Sequence, residues 1–210
     1  MKNARLISVN VGLPRAVSWR GQRVLTGIYK EPVAGPVKVR FLNLEGDRQA
    51  DLRVHGGATK AVYVYPSEHY DYWRKELSGA ELPPGAFGEN LTTAGLLEET
   101  VCIGDRYRIG SAEFVVTQPR IPCFKLGIKF GTDAIIKQFL ESRRPGLYFS
   151  VREEGVIEAG QVIDQVHRDP HGVSVSDILR LYLGERSPDL LDRALKVEAL
   201  SESWRNHFLG

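Results

Sequence analysis

Three short segments carry residue types whose spacing suits chemistry, and the sharpest is Gln118-Pro119-Arg120-Ile121-Pro122-Cys123-Phe124-Lys125-Leu126. Its two prolines stiffen the approach to Cys123, which reads as an exposed turn at the end of a strand. Arg120 and Lys125 stand nearby, and positive neighbours favour the thiolate, the form that attacks as a nucleophile or binds a metal. These residues leave three roles open for Cys123: ligand to a soft metal, carrier of sulfur, or inert turn cysteine. A protease-type nucleophile would also need an oriented histidine, for which His55 is the candidate.

The densest polar run is Gly46-Asp47-Arg48-Gln49-Ala50-Asp51-Leu52-Arg53-Val54-His55-Gly56-Gly57-Ala58-Thr59-Lys60, leading directly into the apolar Ala61 to Tyr65. Bare glycine amides can approach a phosphate while Lys and Arg neutralise it. The spacing is neither GxxxxGK[ST] nor GxGxxG after a strand, and an ordinary polar loop fits as well. His69 lies 14 positions beyond His55 in an aromatic-rich helical stretch and reads as a partly packed helix residue, there being no HExxH zinc pair. The third segment, Gly85-Ala86-Phe87-Gly88-Glu89-Asn90-Leu91-Thr92-Thr93-Ala94-Gly95, can present amides and hydroxyls to a polar ligand, or can be a turn entering a strand. Cys102, within Thr100-Val101-Cys102-Ile103, reads as a small apolar core residue.

Short strands must position these segments. Of the 21 glycines, 18 precede residue 161, as do nine of the 11 prolines, and they cut that stretch into brief apolar runs. Alternation predicts strands over 5–11, 37–41 and 112–117, with further strands at 61–65, 105–109 and 147–151. Irregular spacing without repeats favours a closed or nearly closed barrel with long loops. Helices are predicted from Ser67 through Lys75 and, capped by Thr132, over 133–142 before Pro145. After Pro170 the pattern becomes helical: Ser176 caps 177–183, Ser187 with Pro188 opens a helix through Leu195, and Ser201 opens one through Phe208. The expected division is a barrel domain over 1–166 and a three-helix domain over 167–210.

Composition narrows the classes. At 210 residues, with 42% hydrophobic and 26% charged residues, the chain suits one or two packed domains. The net charge of +2 gives no global field for nucleic acid or anionic membrane. Three short C-terminal helices resemble a helix-turn-helix unit, but six acidic residues against five basic ones from Ser174 onward disfavour a DNA footprint. Two cysteines 21 positions apart exclude a disulfide framework and a CxxC site. No run approaches the roughly 20 apolar residues of a membrane helix, and no secretory h-region opens the chain, so a reduced cytoplasm is expected.

The ordered set ISVNVGLPR, GDRQADLRVHGGATKAVYVYP, FGENLTT, QPRIPCFKL and a three-helix tail resembles the MOSC domain family, named for the C-terminal domain of molybdenum cofactor sulfurases, in its YiiM-like branch. The resemblance implies a mainly β fold with α, a barrel like that of the pyruvate kinase barrel domain, followed by the helical unit. It implies a pocket for the molybdenum cofactor with Cys123 as thiolate ligand to the metal. It implies reduction of N-hydroxylated compounds, including base analogues such as 6-hydroxylaminopurine, as a detoxification. Lys60 and Arg120 are then the expected contacts to the cofactor phosphate or pterin, and Gln49 and Asp51 those to pterin nitrogens. His55, Gly56 and Gly57 would line one wall, and Asn90, Leu91 and Thr92 the opposite one. With no flavin, NAD(P) or iron–sulfur fingerprint, electrons would come from a separate flavoprotein or ferredoxin-type reductase. The C-terminal helices would cap the barrel or supply docking or homodimer contacts. The alternative function is a non-catalytic carrier of molybdenum cofactor, or of sulfur on Cys123.

Overall fold

The computed structural model describes residues 4–50, 56–78, 80–185 and 187–210. Among these residues the strands are β1 (Ala4–Val11), β2 (Arg15–Trp19), β3 (Gln22–Thr26), β4 (Glu31–Pro32), β5 (Val37–Arg40), β6 (Asn43–Leu44), β7 (Val62–Pro66), β8 (Leu91–Ala94), β9 (Arg106–Ile109), β10 (Ala112–Pro119), β11 (Leu147–Glu153), β12 (Gly155–Ile157) and β13 (Val162–His167). A 3₁₀ turn (Ala58–Lys60) precedes β7, and the helices are α1 (Glu68–Glu76), α2 (Phe124–Phe130), α3 (Ala134–Glu141), α4 (Val175–Tyr182), α5 (Pro188–Lys196) and α6 (Glu202–Leu209).

Seven strands close a barrel in the order β13-β9-β10-β11-β7-β8-β1, and β1 returns to β13 through Ala4 opposite Ile163 and Arg5 opposite Val162. The neighbours are antiparallel except β7 and β8, which run parallel with Val64 opposite Leu91. Closure leaves no free edge in the ring. β4 extends β1 beyond the ring, β12, β5 and β6 form a small second sheet, and β2 and β3 form a hairpin. That hairpin turns at Arg20 and Gly21, both at positive φ, as a two-residue turn requires. The barrel and terminal helices match the expected architecture.

β7 shows how the sequence divides the interior. All five of its residues are buried. Successive strand side chains point to opposite faces, so Val62 and Val64 join the barrel core while Tyr63 and Tyr65 join a second, aromatic core with Trp73, Phe87 and Phe139. Trp73 Nε1 donates to the Tyr65 hydroxyl at 2.6 Å, giving the buried indole N–H its partner. β10 is buried along nearly its whole length because α4 packs against it. Val175, Ile178, Leu190, Ala194 and Trp204 therefore belong to the same hydrophobic cluster as the barrel strands.

Several local expectations are corrected. The segment after Cys123 is not an open turn: it winds into α2, with Cys123 in the extended conformation of an N-cap. α4 starts earlier than expected, and Ser174, not Ser176, caps it in a capping box: the Ser174 hydroxyl accepts from Asp177 N at 3.0 Å, and the Asp177 carboxylate accepts from Ser174 N at 3.1 Å. α3 begins at Ala134, whose N–H donates to the Thr132 hydroxyl at 3.3 Å. The β2–β3 hairpin and the strands β4, β6, β12 and β13 were not foreseen.

Candidate functional site

Cys123 is half-buried where three barrel features meet: the end of β10, the start of β11 and the 3₁₀ turn before β7. A bulge in β10 lies between Val116, opposite Phe149, and Gln118, opposite Tyr148. Such bulges re-aim side chains beside sites. At this one the Thr117 hydroxyl donates to Thr59 O at 2.6 Å and sits 3.1 Å from Tyr148 O, tying β10 to the turn that carries Lys60. Gly57, at positive φ, accepts from Lys60 N at 3.0 Å and closes that turn. The sequence thus sets a cysteine and a lysine on the rim of one end of the barrel.

Two cavities share this rim, with Lys60, Ile121, Cys123 and Tyr148 in the wall of both. The inner one is cationic. Lys30, Lys60, Arg120 and Lys125 line it against Asp47, together with Gln49, Asn90 and Tyr63. Arg120 is buried, donates through Nη1 to Phe87 O and lies 4.5 Å over the Tyr63 ring, so β10's end is clamped to the loop before β8. Lys30 pairs with Asp47, whose carboxylate also accepts from Gly12 N at 2.9 Å and Asn90 Nδ2 at 2.9 Å. Burial pulls the Lys30 ammonium below its usual range against the opposing charge of Asp47, and burial does the same to Lys60. Desolvated cations of this kind gain most from an anion placed beside them. The outer cavity opens toward the C-terminal helices and is walled by Gln118, Tyr182, Trp204 and His207.

Of the residues singled out from sequence, Gln49, Lys60, Asn90, Arg120 and Cys123 come together around the inner cavity. Asp51 and His55 lie outside the described residues. Gly56 and Gly57 line neither cavity, Gly57 serving the turn instead. The wall expected from Asn90, Leu91 and Thr92 contributes Asn90 alone: Leu91 is wholly buried in the barrel core, and the Thr92 hydroxyl donates to Glu89 at 2.9 Å. Glu89 explains that loop. Its buried carboxylate accepts from Gly85 N at 2.7 Å, Phe87 N at 3.0 Å and the Tyr70 hydroxyl. The segment read as a ligand loop is thus largely self-bonded.

Sequence reasoning named Lys125 only as a charge beside Cys123, and missed Lys30, Asp47, Tyr63 and Tyr148 as lining residues. Each comes from a different element, and only Asp47 and Lys125 lay inside segments already marked as polar. His69, as expected, is a packed helix residue, with Nε2 2.8 Å from buried Glu98, which also accepts from Gly146 N at 2.7 Å. Cys102 is buried, and burial first, with Asp105 second, pushes its thiol pKa up. Among the described residues no three His, Cys, Asp or Glu side chains group as metal ligands, and no helix is long and apolar enough to cross a membrane.

Comparison with known proteins places these features in context. The MOSC domain profile matches residues 51–164, and the YiiM-like, 3-alpha helix domain profile matches residues 173–209. The chain is 43% identical to YflK of Bacillus subtilis over all of this chain and 96% of that one. It is 38% identical to the protein YiiM of Escherichia coli over 85% of this chain and 81% of that one. A Gibberella moniliformis protein named Reductase is 36% identical over 77% of this chain, which spans 29% of that longer protein. The crystal structure of YiiM from Geobacillus stearothermophilus superposes with a TM-score of 0.82 at 37% identity, covering 98% of this chain and 97% of that one.

Proposed function

The chain belongs to the MOSC domain family, in its YiiM-like branch, and on that premise we propose that it is a molybdenum cofactor-dependent reductase of N-hydroxylated compounds. The observation that carries the proposal is the position of Cys123 on the rim shared by a cation-lined cavity and a second cavity beside it. The family is associated with molybdenum cofactor, and a relative named Reductase supports an oxidoreductase.

The donor set fits that cofactor, which unites a soft metal with an anionic phosphate. The Cys123 sulfur suits the metal. Lys60, Lys125 and Arg120 suit the anionic end, while Asp47 keeps Lys30 and Asn90 in place behind them. Gln49, in the wall of the inner cavity, is the proposed partner for pterin nitrogens, and Asp51 and His55, outside the described residues, are proposed with it on the family resemblance alone. When bound, the cofactor would supply a two-electron couple able to accept oxygen.

The net reaction is R–NHOH + 2e⁻ + 2H⁺ → R–NH₂ + H₂O, in which the N–O bond breaks and the nitrogen is reduced. A separate flavoprotein or ferredoxin-type reductase provides the electrons. Tyr63 and Tyr148, with ring centroids 5.3 Å apart, stand in the wall of the inner cavity that Cys123 also lines. Leu126 N donates to Cys123 O at 2.9 Å, which fixes the backbone from which the thiol projects at the start of α2.

Protein purified from a host that makes molybdenum cofactor should carry molybdenum and pterin and should reduce an N-hydroxylated purine to the amine with a chemical reductant. Cys123→Ala should lose that turnover and alter the metal's spectrum. Fully active Cys123→Ala, or wild type that holds the cofactor and turns over no N-hydroxylated compound, overturns the proposal. Transfer of cofactor or sulfane sulfur without turnover would instead establish a carrier.

A further inference from the structure

Charge is spread unevenly along the chain. Six basic residues precede the first acidic one, Glu31, although the whole protein carries a net charge of only +2. Three of the six, Arg15, Arg20 and Arg23, stand exposed on the β2–β3 hairpin. Its register sets Ala16 opposite Leu25 and Ser18 opposite Arg23, so these four side chains share one face, and all four are exposed. Val17, Val24 and Thr26 point the other way and are buried or half-buried. The outer face of the hairpin thus presents Leu25, 53% exposed, beside cations.

The hairpin is held against the candidate site at both ends. β3 runs into Thr26, Gly27 and Ile28, which line the inner cavity, and Arg23 stands three residues before Thr26, about 10 Å along a strand. At the tip the Arg20 guanidinium donates to Asp133, just beyond α2, the helix that Cys123 opens. Asp133 offsets Arg20, whereas Arg15 and Arg23 make no ion pair among the described residues. The C-terminal helices differ: Arg180 pairs with Asp177 and Glu185, Arg193 with Asp189 and Lys196 with Asp192. Charges already paired within a surface leave little field for a partner.

We infer that the outer face of the β2–β3 hairpin is where the electron donor docks, that this donor is a single-electron carrier with an acidic face, and that the C-terminal helices are not the docking surface. The inference rests on the N–O reductase reading, which draws two electrons from a separate protein. Opposite charge steers the encounter and sets orientation, and Leu25 supplies an apolar centre of the kind that interfaces desolvate. A second copy of this chain would bring the same positive face, so charge opposes self-association there. Each docking passes one electron. Two reduced carriers are oxidised while R–NHOH takes up two protons from water and becomes R–NH₂ and H₂O.

The test uses the full-length, cofactor-loaded protein, with reduced flavodoxin and reduced plant-type ferredoxin as acidic probes and dithionite as a small donor. The variants are Arg15→Glu with Arg23→Glu in one chain, the milder Arg23→Gln, and Lys196→Glu on α5 as control. The paired variant should lower kcat/KM for both carriers and raise their Kd at low salt about tenfold, while its dithionite-driven turnover of an N-hydroxylated purine and its cofactor content stay within about twofold of wild type. Arg23→Gln should fall between the two, added salt should bring wild type down toward the paired variant, and Lys196→Glu should match wild type. Carrier binding and turnover that ignore the paired variant overturn the inference, as does an equal loss in Lys196→Glu. Loss of dithionite-driven turnover in Arg23→Gln overturns it too, by assigning the arginine to the site. So do carriers that wild type fails to bind, and a dimer that the paired variant splits. If wild type turns over no N-hydroxylated purine with dithionite, the reductase reading falls, and the hairpin surface stands or falls on carrier binding alone.

Discussion

Lys129 shows how a single charge behind the site shapes the protein's response to pH. Its ammonium donates to Gly85 O at 2.6 Å and Ile28 O at 3.3 Å, and burial lowers its pKa to about 8, with Glu89 pulling the other way and Arg120 and Lys30 adding to the decrease. A lysine depressed in the folded state sheds its proton before the unfolded chain does. Between about pH 8 and the ordinary lysine value of 10.5 the unfolded chain therefore binds more protons, and stability contributed by this residue rises with pH. Below that window both states are protonated and the slope vanishes. The unfolding free energy of wild type minus that of Lys129→Met should accordingly climb from pH 8 to 10 and stay level from pH 6 to 7 in urea titrations. A level difference throughout would place the proton elsewhere. Residues such as Cys123, Lys60 and Arg120 were legible in the sequence because unusual residue types sit beside glycine or proline. Lys30 and Tyr148 were not, because neither sits in a run of chemistry-bearing residues: Lys30 reaches the cavity beside β4, which pairs with β1, and Tyr148 from β11, between β10 and β7.

At the scale of elements, capping decides where helices begin. Ser174 and Asp177 exchange reciprocal hydrogen bonds at the start of α4, while Ser176, the residue expected to cap it, lies inside the helix. Replacing Ser174 with alanine should cost about 1 kcal/mol, whereas Ser176→Ala should cost less than half of that, both read from urea midpoints at constant slope. Equal costs would mean that the capping box contributes nothing. Ser176 also precedes an apolar run and an aspartate, but only Ser174 has that aspartate three residues on, where it completes the capping box, and Ser174 is also paired with Cys102. A similar reason hid α2, a seven-residue helix with Gly127 at its centre, too short to show a period. Its glycine is a packing choice, since an added Cβ would lie 2.8 Å from Asp133 Oδ1 and 3.2 Å from Thr132 O. The alternating strands β1, β5 and β10 were visible because each presents one apolar face to a core. The hairpin β2–β3 was not, because none of its residues except Thr26 is buried.

Across the whole molecule, the barrel and the C-terminal helices share one hydrophobic core. Ile178 on α4 is wholly buried in the cluster that contains Leu6, Val116 and Phe149 of the barrel, and β13, which closes the ring against β1, leads directly toward α4. Compositional change after Pro170 marks a change of secondary structure, and burial carries the core across it. If the two parts depend on each other in this way, cutting Ile178 to alanine leaves a cavity between them and should destabilise both. The expected cost is about 2–5 kcal/mol, with far-UV circular dichroism and Trp204 fluorescence in a Trp19→Phe, Trp73→Phe background losing native signal at one common urea midpoint. Two separated midpoints, with only the helical signal shifted, would show that the helices fold on a finished barrel. In that case the wall of Tyr182, Trp204 and His207 would swing independently of Cys123, and the spacing between that wall and the thiol would be set by a hinge. A common midpoint instead fixes that spacing by the packing of α4 on β10, the strand that also delivers Gln118 and ends beside Cys123.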